Sequence, residues 1–587
     1  MKLFQNKINA KSAIKPLVGR GLMGLLLLGG LGGSTLTSCS DFLDILPLND
    51  VVLENYWTQK SDVTSVLNSC YESLESENSI QRMCVWGELR SENLVAGSGT
   101  GNEINDLLNE NILPANSYTK WEVMYQTINR CNTLIHYAPS VQEKDPNYSY
   151  NQMMANVAEA SFIRDLCYFY LIRTFRDIPM SFEPSIDDTK DYEVPPTPMK
   201  EALDIIAHDL DSIQDYAVKR YVDDSKMSNA KAADQARENS SRVTRVAIWA
   251  LLADINLWRG QWDETIKYCD KIIEFKQQQY KDKLQNLGNI NDMYEFSGIP
   301  LIRESVEGSA DCGNAYTEIF GDNNSFESLF ELYFSQSQGV MNTYVQRYFG
   351  SSSQSIGQFA ALSKYRNDAS AGKNQLFKKN DCRVYETMND NKSAPKCAIT
   401  KYVNSSISLN TTNIQDDEKS LKINPSRRST ANANWIIYRL TDVMLMKAEA
   451  QIMKGGEAEH ESAFTLINAV NKRACNALTT ATKDTLAYAD YKGDQRKMET
   501  LLLNERNREL MFEGKRWFDL VRFALRDGKT ERLSAEVATK HQINQNAIKI
   551  RLSRMDYIFF PYNREELKLN RYLKQNEAYG DTEDFQK

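Results

Sequence analysis

The sequence lacks most of what a catalytic or cofactor site needs. Its ten cysteines include no C-x-x-C pair, so a zinc-ribbon or dithiol redox motif has no support. There are four histidines (His136, His208, His460 and His541), scattered, with no H-E-x-x-H element, so no metal site is expected. No G-x-S-x-G nucleophile elbow is present. The glycine-rich run Gly97-Ser98-Gly99-Thr100-Gly101-Asn102 lacks the Lys-Ser/Thr of a phosphate-binding loop and reads as a flexible loop. Clustered positive charge is also lacking: 70 Lys and Arg stand against 78 Asp and Glu for a net charge of -8, and no polybasic run that would suit nucleic acid is visible. These absences exclude several function classes, and no cofactor is expected. Hydrophobic content of 42% and charged content of 25% are ordinary for a globular chain able to bury a sizeable core. Tyrosine is abundant, with 29 copies. Its flat face and polar edge suit sugars and peptides, but suit cores equally.

The first residues read as an address. Lys2, Lys7, Lys11, Lys15 and Arg20 precede an uncharged Leu- and Gly-rich stretch, 21–36, too short to span a bilayer, which takes about 20 residues. It ends in Leu36-Thr37-Ser38-Cys39, similar to a bacterial lipoprotein cleavage site, in which small residues fit the peptidase and the thiol takes a diacylglycerol. Cys39 is therefore the expected lipidation site and residues 1–38 the signal peptide. Residues 39–50 form an acidic leader.

Helical periodicity dominates beyond it. Ala160, Ile163, Leu166, Cys167, Tyr170 and Leu171 share one helical face, stopped at Asp177-Ile178-Pro179. Val243, Ala247, Ala250, Leu251, Ile255 and Trp258 form a second stripe that ends at Gly260, and Trp262, Ile266, Cys269 and Ile272 answer it. Leu440, Val443, Met444 and Ala448, then Ala463, Ile467, Val470 and Ala474, repeat the scheme around Gly455-Gly456. Paired helices with small residues at their crossings are similar to tetratricopeptide repeats. The expected fold is mainly α, a scaffold of such pairs with a large loop-rich part. Its divisions are an N-terminal scaffold over 51–275, a loop-rich region over 276–434, C-terminal helix pairs over 435–525 and a final segment over 526–587. Residues 97–116 read as a second long loop. Glu505-Arg506-Asn507-Arg508-Glu509, with Glu513, Lys515, Arg516 and Asp519, alternates in sign at helical spacing. Opposite charges depress carboxylate pKa values, the wrong direction for a general acid, so this segment reads as structural ion pairs.

Several motifs, in order, resemble the SusD/RagB family of Bacteroidetes outer-membrane nutrient-binding lipoproteins. Gly87-Glu88-Leu89-Arg90-Ser91-Glu92-Asn93 resembles its L-R-S-D-N element, with Glu92 in place of Asp. Trp121, Tyr125, Ile128, Asn132 and Ile135 fit one of its helices, and Glu159-Ala160 through Asp177-Ile178-Pro179 another. Arg439 through Glu449-Ala450, Glu505-Arg506 through Arg522, and Pro561 through Asn576 follow, with Arg571 where Pro is usual.

The resemblance implies four tetratricopeptide-like helix pairs with a loop-rich ligand face, and no enzymatic activity. It implies anchorage at the cell surface and a SusC-like TonB-dependent outer-membrane transporter as partner. Oligosaccharide is the expected ligand. Oligopeptide capture in the RagB manner is the alternative, with a surface hydrolase or a structural adhesin behind it. Relatives place ligand contacts at positions that here hold Ser98, Asn102 and Glu103, then Tyr280, Tyr294, Phe296, Arg303 and Tyr316. Starch-binding members carry Trp in the first of these segments; this chain has Gly and Ser.

Overall fold

Helix-forming runs with explicit start and stop signals build most of the chain. In this computed structural model, residues 56–580 are described apart from 187–192, 224, 226–236, 310, 371–375, 390–393, 411–421 and 476–485. Cys39 and the leader lie outside the described residues. The helices that matter are α1 (Lys60–Leu74), α2 (Glu77–Cys84), α3 (Asn102–Leu108), α4 (Glu122–Lys144), α5 (Tyr150–Phe175), α6 (Met199–Ile213), α7 (Arg245–Trp258), α8 (Trp262–Leu287), α9 (Cys382–Thr387), α10 (Leu440–Lys454), α11 (Glu457–Cys475), α12 (Gln495–Leu510) and α13 (Arg516–Asp527). Side-chain caps satisfy the first free N–H groups of several of them. Ser149 opens α5 with a capping box to Gln152, Thr244 accepts from Ala247 at α7, and Asp494 accepts from Lys497 at α12. Gly260 turns α7 into α8 at φ 69°, a conformation that glycine reaches without strain.

The helices stack in sequence order. α1 packs on α4, α4 on α5, α5 on α6, α6 on α7, α7 on α8, α8 on α10, α10 on α11, and α12 closes on both α10 and α11. Each helix thus has neighbours on two sides, as in a tetratricopeptide-like array. α5 shows this most fully, being buried on every face from Ala158 to Phe175. The single stripe expected there is only part of its contact surface, because its polar residues are paired inside the core. Glu159 accepts from Tyr71 and Arg242, both at 2.6 Å, and Arg164 donates to Asp209 at 2.5 Å.

Two motifs more than 400 residues apart close the stack on itself. α2 runs into a single π-helical turn, Val85–Leu89, that brings Gly87 and Glu88 against the α12–α13 junction. The Glu88 carboxylate accepts from the backbone N–H groups of Phe512, Lys515 and Arg516. Arg516 donates to Glu92, and Asn93 donates to Glu88 and Asn507. A Cβ on Gly87 would lie 1.8 Å from the Gly514 carbonyl oxygen, so only glycine permits this approach.

The charged stretch on α12 is structural, and it is buried. Glu509 accepts from Arg439 at 2.5 Å, from Arg383 at 2.9 Å and from Arg473. Glu513 accepts from Lys401 at 2.6 Å and Arg439 at 2.8 Å. Asp519 and Asp442 both hold Arg506. Burial alone would raise the Glu509 carboxyl, but Arg473, Arg439 and Arg383 outweigh it and hold the group well below the usual carboxylate range.

Region 276–434 differs from the expected loops. α8 continues to Leu287, so a boundary at 276 falls inside a helix. Its second half is rich in Gln and Lys, good helix formers, with Tyr280 and Leu284 one turn apart on the face that packs Met293. Downstream lie short antiparallel strands. Met293–Phe296 pairs with Ile299–Ile302, Asn404–Asn410 with Lys422–Arg427 and Asp311–Cys312, and Ser328–Leu332 with Trp435–Arg439. The 97–116 segment likewise contains α3, which buries Ile104, Leu107 and Leu108. No helix among the described residues is long and apolar enough to cross a membrane.

Candidate functional site

Tyr294 stands out because a large ring on a β-strand is left mostly in solvent. It lies on the Met293–Phe296 / Ile299–Ile302 hairpin, whose turn is Ser297-Gly298 with φ 53° and 80°. Two left-handed residues make a tight turn that matches the strand twist. Side chains alternate along a strand, so Tyr294 and Phe296 share a face while Met293 points the other way. The Tyr294 ring is 55% exposed and meets Phe296 edge-on, with centroids 5.3 Å apart. The Arg303 guanidinium lies 5.7 Å from the Tyr294 centroid and 3.6 Å from Glu307. Met293 is buried with Tyr280 and Ile290 in a small apolar cluster against Leu284 and Phe326. Tyr280 is thus the foot of the hairpin, buried beneath it.

Beside the hairpin is a cavity of about 260 Å³ with both polar and apolar walls. α8 lines it with Lys276, Gln279 and Lys283; Asp292 and Met293 form the hairpin side; Asn314, Glu318, Asn323 and Asn324 face them. Asn314 donates to both the Arg303 carbonyl (3.1 Å) and the Glu318 carboxylate (2.9 Å), tying the cavity wall to the hairpin. Burial, then the neighbouring Asp292 carboxylate, pushes the Glu318 carboxyl up to about 8. Sequence reading missed these cavity residues. The one available cue was Gly321-Asp322-Asn323-Asn324-Ser325, a turn cluster whose two asparagines adopt φ 62° and 50°.

Glu318 leads to a pH prediction. Its folded pKa stands above the ordinary 4.5, so the folded state holds a proton that the unfolded chain releases sooner. That stability is fully present below about pH 4.5 and is lost as pH rises through about 8. Glu318→Gln is therefore expected to melt with wild type at pH 4 and above it at pH 9. Identical Tm–pH profiles for the two proteins would refute the assignment.

The other expected contact residues have different surroundings. Tyr316 is 2% exposed, its hydroxyl donates to the carbonyls of Thr400 and Asn404, and its ring packs against Phe320. It has no free face for a ligand, which corrects its placement on the ligand surface. Its apolar spacing to Phe320 is that of a core helix turn. Ser98 N–H donates to the Gly357 carbonyl at 2.7 Å. Asn102 is exposed at the start of α3, and the Glu103 carboxylate accepts from Ser117 N and Oγ at 2.7 and 2.6 Å, bracing the loop. The hairpin rests on α8 and α11 instead. No hydrogen bond, ion pair or ring contact links Ser98, Asn102 or Glu103 to Tyr294, Phe296 or Arg303. The two expected segments are thus supported by different parts of the scaffold.

Comparison with known proteins identifies the frame that carries this hairpin. Residues 323–579 match the model of the SusD family, and residues 41–257 match a second, described as "Starch-binding associating with outer membrane". The chain belongs to the SusD/RagB family. SusD-like protein P38 of Formosa agariphila is 24% identical over 523 residues, covering 85% of this chain and 90% of the relative. SusD-like protein P25 of the same organism is 22% identical, covering 83% and 87%. Among solved structures, a SusD superfamily protein from Bacteroides thetaiotaomicron covers 89% of this chain and 99% of its own at TM-score 0.61 and 17% identity. A laminarin binding SusD-like protein covers 89% and 100% at TM-score 0.58 and 19% identity. The family motifs in this SusD/RagB chain are the ones that make the scaffold contacts described above: Glu88, Glu92 and Asn93 against Arg516 and Asn507, and Arg439 against Glu509. They explain why the fold is shared.

Proposed function

We propose that the protein captures glycans at the outer-membrane surface and delivers them to a SusC-like TonB-dependent transporter, held there by a lipid on Cys39. The observation that carries this reading is the hairpin with its cavity. An exposed tyrosine ring backed by Phe296 and flanked by Arg303 is a stacking platform, and the adjoining cavity presents amides and carboxylates. Sugar rings use this combination, in which the apolar ring face stacks and hydroxyls pair with planar polar groups. The family description and the laminarin-binding relative support the same ligand class. Hydrolysis is not part of the proposal. Glycosidase carboxylates stand about 5 to 9 Å apart to admit water or a sugar, whereas Glu318 and Asp292 are in hydrogen-bond contact.

The experiment is titration of the purified protein with a panel of soluble glycans and oligopeptides by calorimetry. Saturable binding to at least one glycan and to no peptide is expected; binding to peptides alone would overturn the reading. Affinity-tagged protein should also carry an outer-membrane β-barrel partner through purification in mild detergent.

A further inference from the structure

A buried cluster behind the hairpin has no place in glycan capture. Glu304 follows the strand Ile299–Ile302, and its carbonyl accepts from Asn314 N at 3.0 Å. Cys382 and Glu386 lie four residues apart on α9, hence on one face. One donor atom from each of Glu304, Cys382 and Glu386 lies within 4.8 Å of the other two. Their exposures are 4%, 0% and 4%. Glu304 Oε2 and Glu386 Oε1 are buried and receive no hydrogen bond from any described donor. The two carboxyls are in contact with each other, and the Cys312 thiol lies against that of Cys382.

Two adjacent buried carboxylates repel, and that arrangement is stable only with a shared proton or a bound cation. Arg473 and Arg383 act on Glu304 with one sign, and Glu509 with the other; Asp381 adds to the negative charge at Glu386.

We infer that Glu304, Cys382 and Glu386 form a binding site for one zinc ion, three protein ligands that leave the fourth position to water. The ligand types decide the metal. A thiolate favours zinc over magnesium or calcium, and calcium takes 6–8 oxygens, more than two carboxylates supply. Tetrahedral zinc bonds of about 2.0 to 2.3 Å set neighbouring ligands about 3.3 to 3.8 Å apart, within the span of the cluster. Binding releases the Cys382 thiol proton and the proton shared by the carboxyls to solvent, so affinity rises with pH. The ion fastens the strand that carries the hairpin to α9. Arg383 in turn ties α9 to Glu505 and Glu509.

The test uses the full chain, purified in detergent, stripped with a chelator and titrated with Zn²⁺, and with Co²⁺ as spectroscopic probe. One zinc per chain by elemental mass spectrometry, a rise in Tm on adding zinc, and a cobalt–thiolate charge-transfer band are expected. The band should vanish in Cys382→Ser and persist in Cys269→Ser. If Cys382→Ser fails to fold, Glu386→Gln serves instead, with zinc affinity expected to fall at least tenfold. Wild type that takes up neither metal overturns the proposal. So does a cobalt band that survives Cys382→Ser, or a Cys312–Cys382 disulfide in non-reducing peptide mapping.

Discussion

Glu509→Ala is expected to cost about 3–5 kcal/mol of stability, the effect of removing one partner from a buried ion pair, and to lower the unfolding midpoint in urea accordingly. The cause is the uncompensated charge that remains. Arg383, Arg439 and Arg473 converge on this one carboxylate, and each is buried. Glu513 shares Arg439, so the damage spreads to Lys401 as well. The sign of the pH dependence follows from the depressed pKa. Glu509 contributes stability above its ordinary value of 4.5, and that contribution is lost as pH falls towards its folded pKa. Asp442, held down to about 2 by Lys515 and Arg506 against its burial, behaves the same way. The variant should therefore show a shallower loss of stability below pH 4.5 than wild type. Arg516→Ala, which strands Glu92, is expected to destabilise similarly. A Glu509→Ala protein that melts like wild type yet loses its ligand would mean that the network is a functional site.

Cys39→Ala is expected to move the protein from the outer-membrane fraction to the soluble fraction. The leader places a cysteine after Leu36-Thr37-Ser38, and nothing else in the described chain is apolar and long enough to hold a bilayer as a helix. Each buried lipid methylene contributes roughly 0.8 kcal/mol, so losing the acyl chains removes the whole anchor. Fractionation with and without the substitution, with metabolic labelling by a fatty acid, reads the outcome. Retention of the unlabelled variant as an integral membrane protein would contradict it.

Long apolar periodicities made the helical scaffold readable from sequence. The stripes at 160–171, 243–258 and 440–451 became α5, α7 and α10 because every third or fourth residue faces a neighbour. The charged run at 505–519 also read correctly as structural, although its burial did not show. Burial depends on Arg383, Lys401 and Arg439, which arrive from distant segments. The strands between 293 and 439 were illegible because each is seven residues or shorter and pairs at a distance, as Ser328–Leu332 does with Trp435–Arg439. The site was only partly legible. Tyr294, Phe296 and Arg303 do come together, while Tyr280 and Tyr316 have the same aromatic appearance in sequence and prove to be buried. A tyrosine's role depends on what covers it, and local sequence does not carry that information.

The most direct test of glycan capture is calorimetric titration of Tyr294→Ala against wild type with the glycan that wild type binds best. Tyr294 is mostly exposed, so its removal should leave Tm within a degree or two of wild type. An aromatic stacking contact is worth about 0.5–1.5 kcal/mol beyond its buried area, and with that area included the loss should approach about 1.4 kcal/mol, or tenfold in Kd. The account predicts a folded variant with affinity weakened about tenfold. A folded variant with unchanged affinity would contradict it, leaving the family and the scaffold in place and moving the ligand elsewhere.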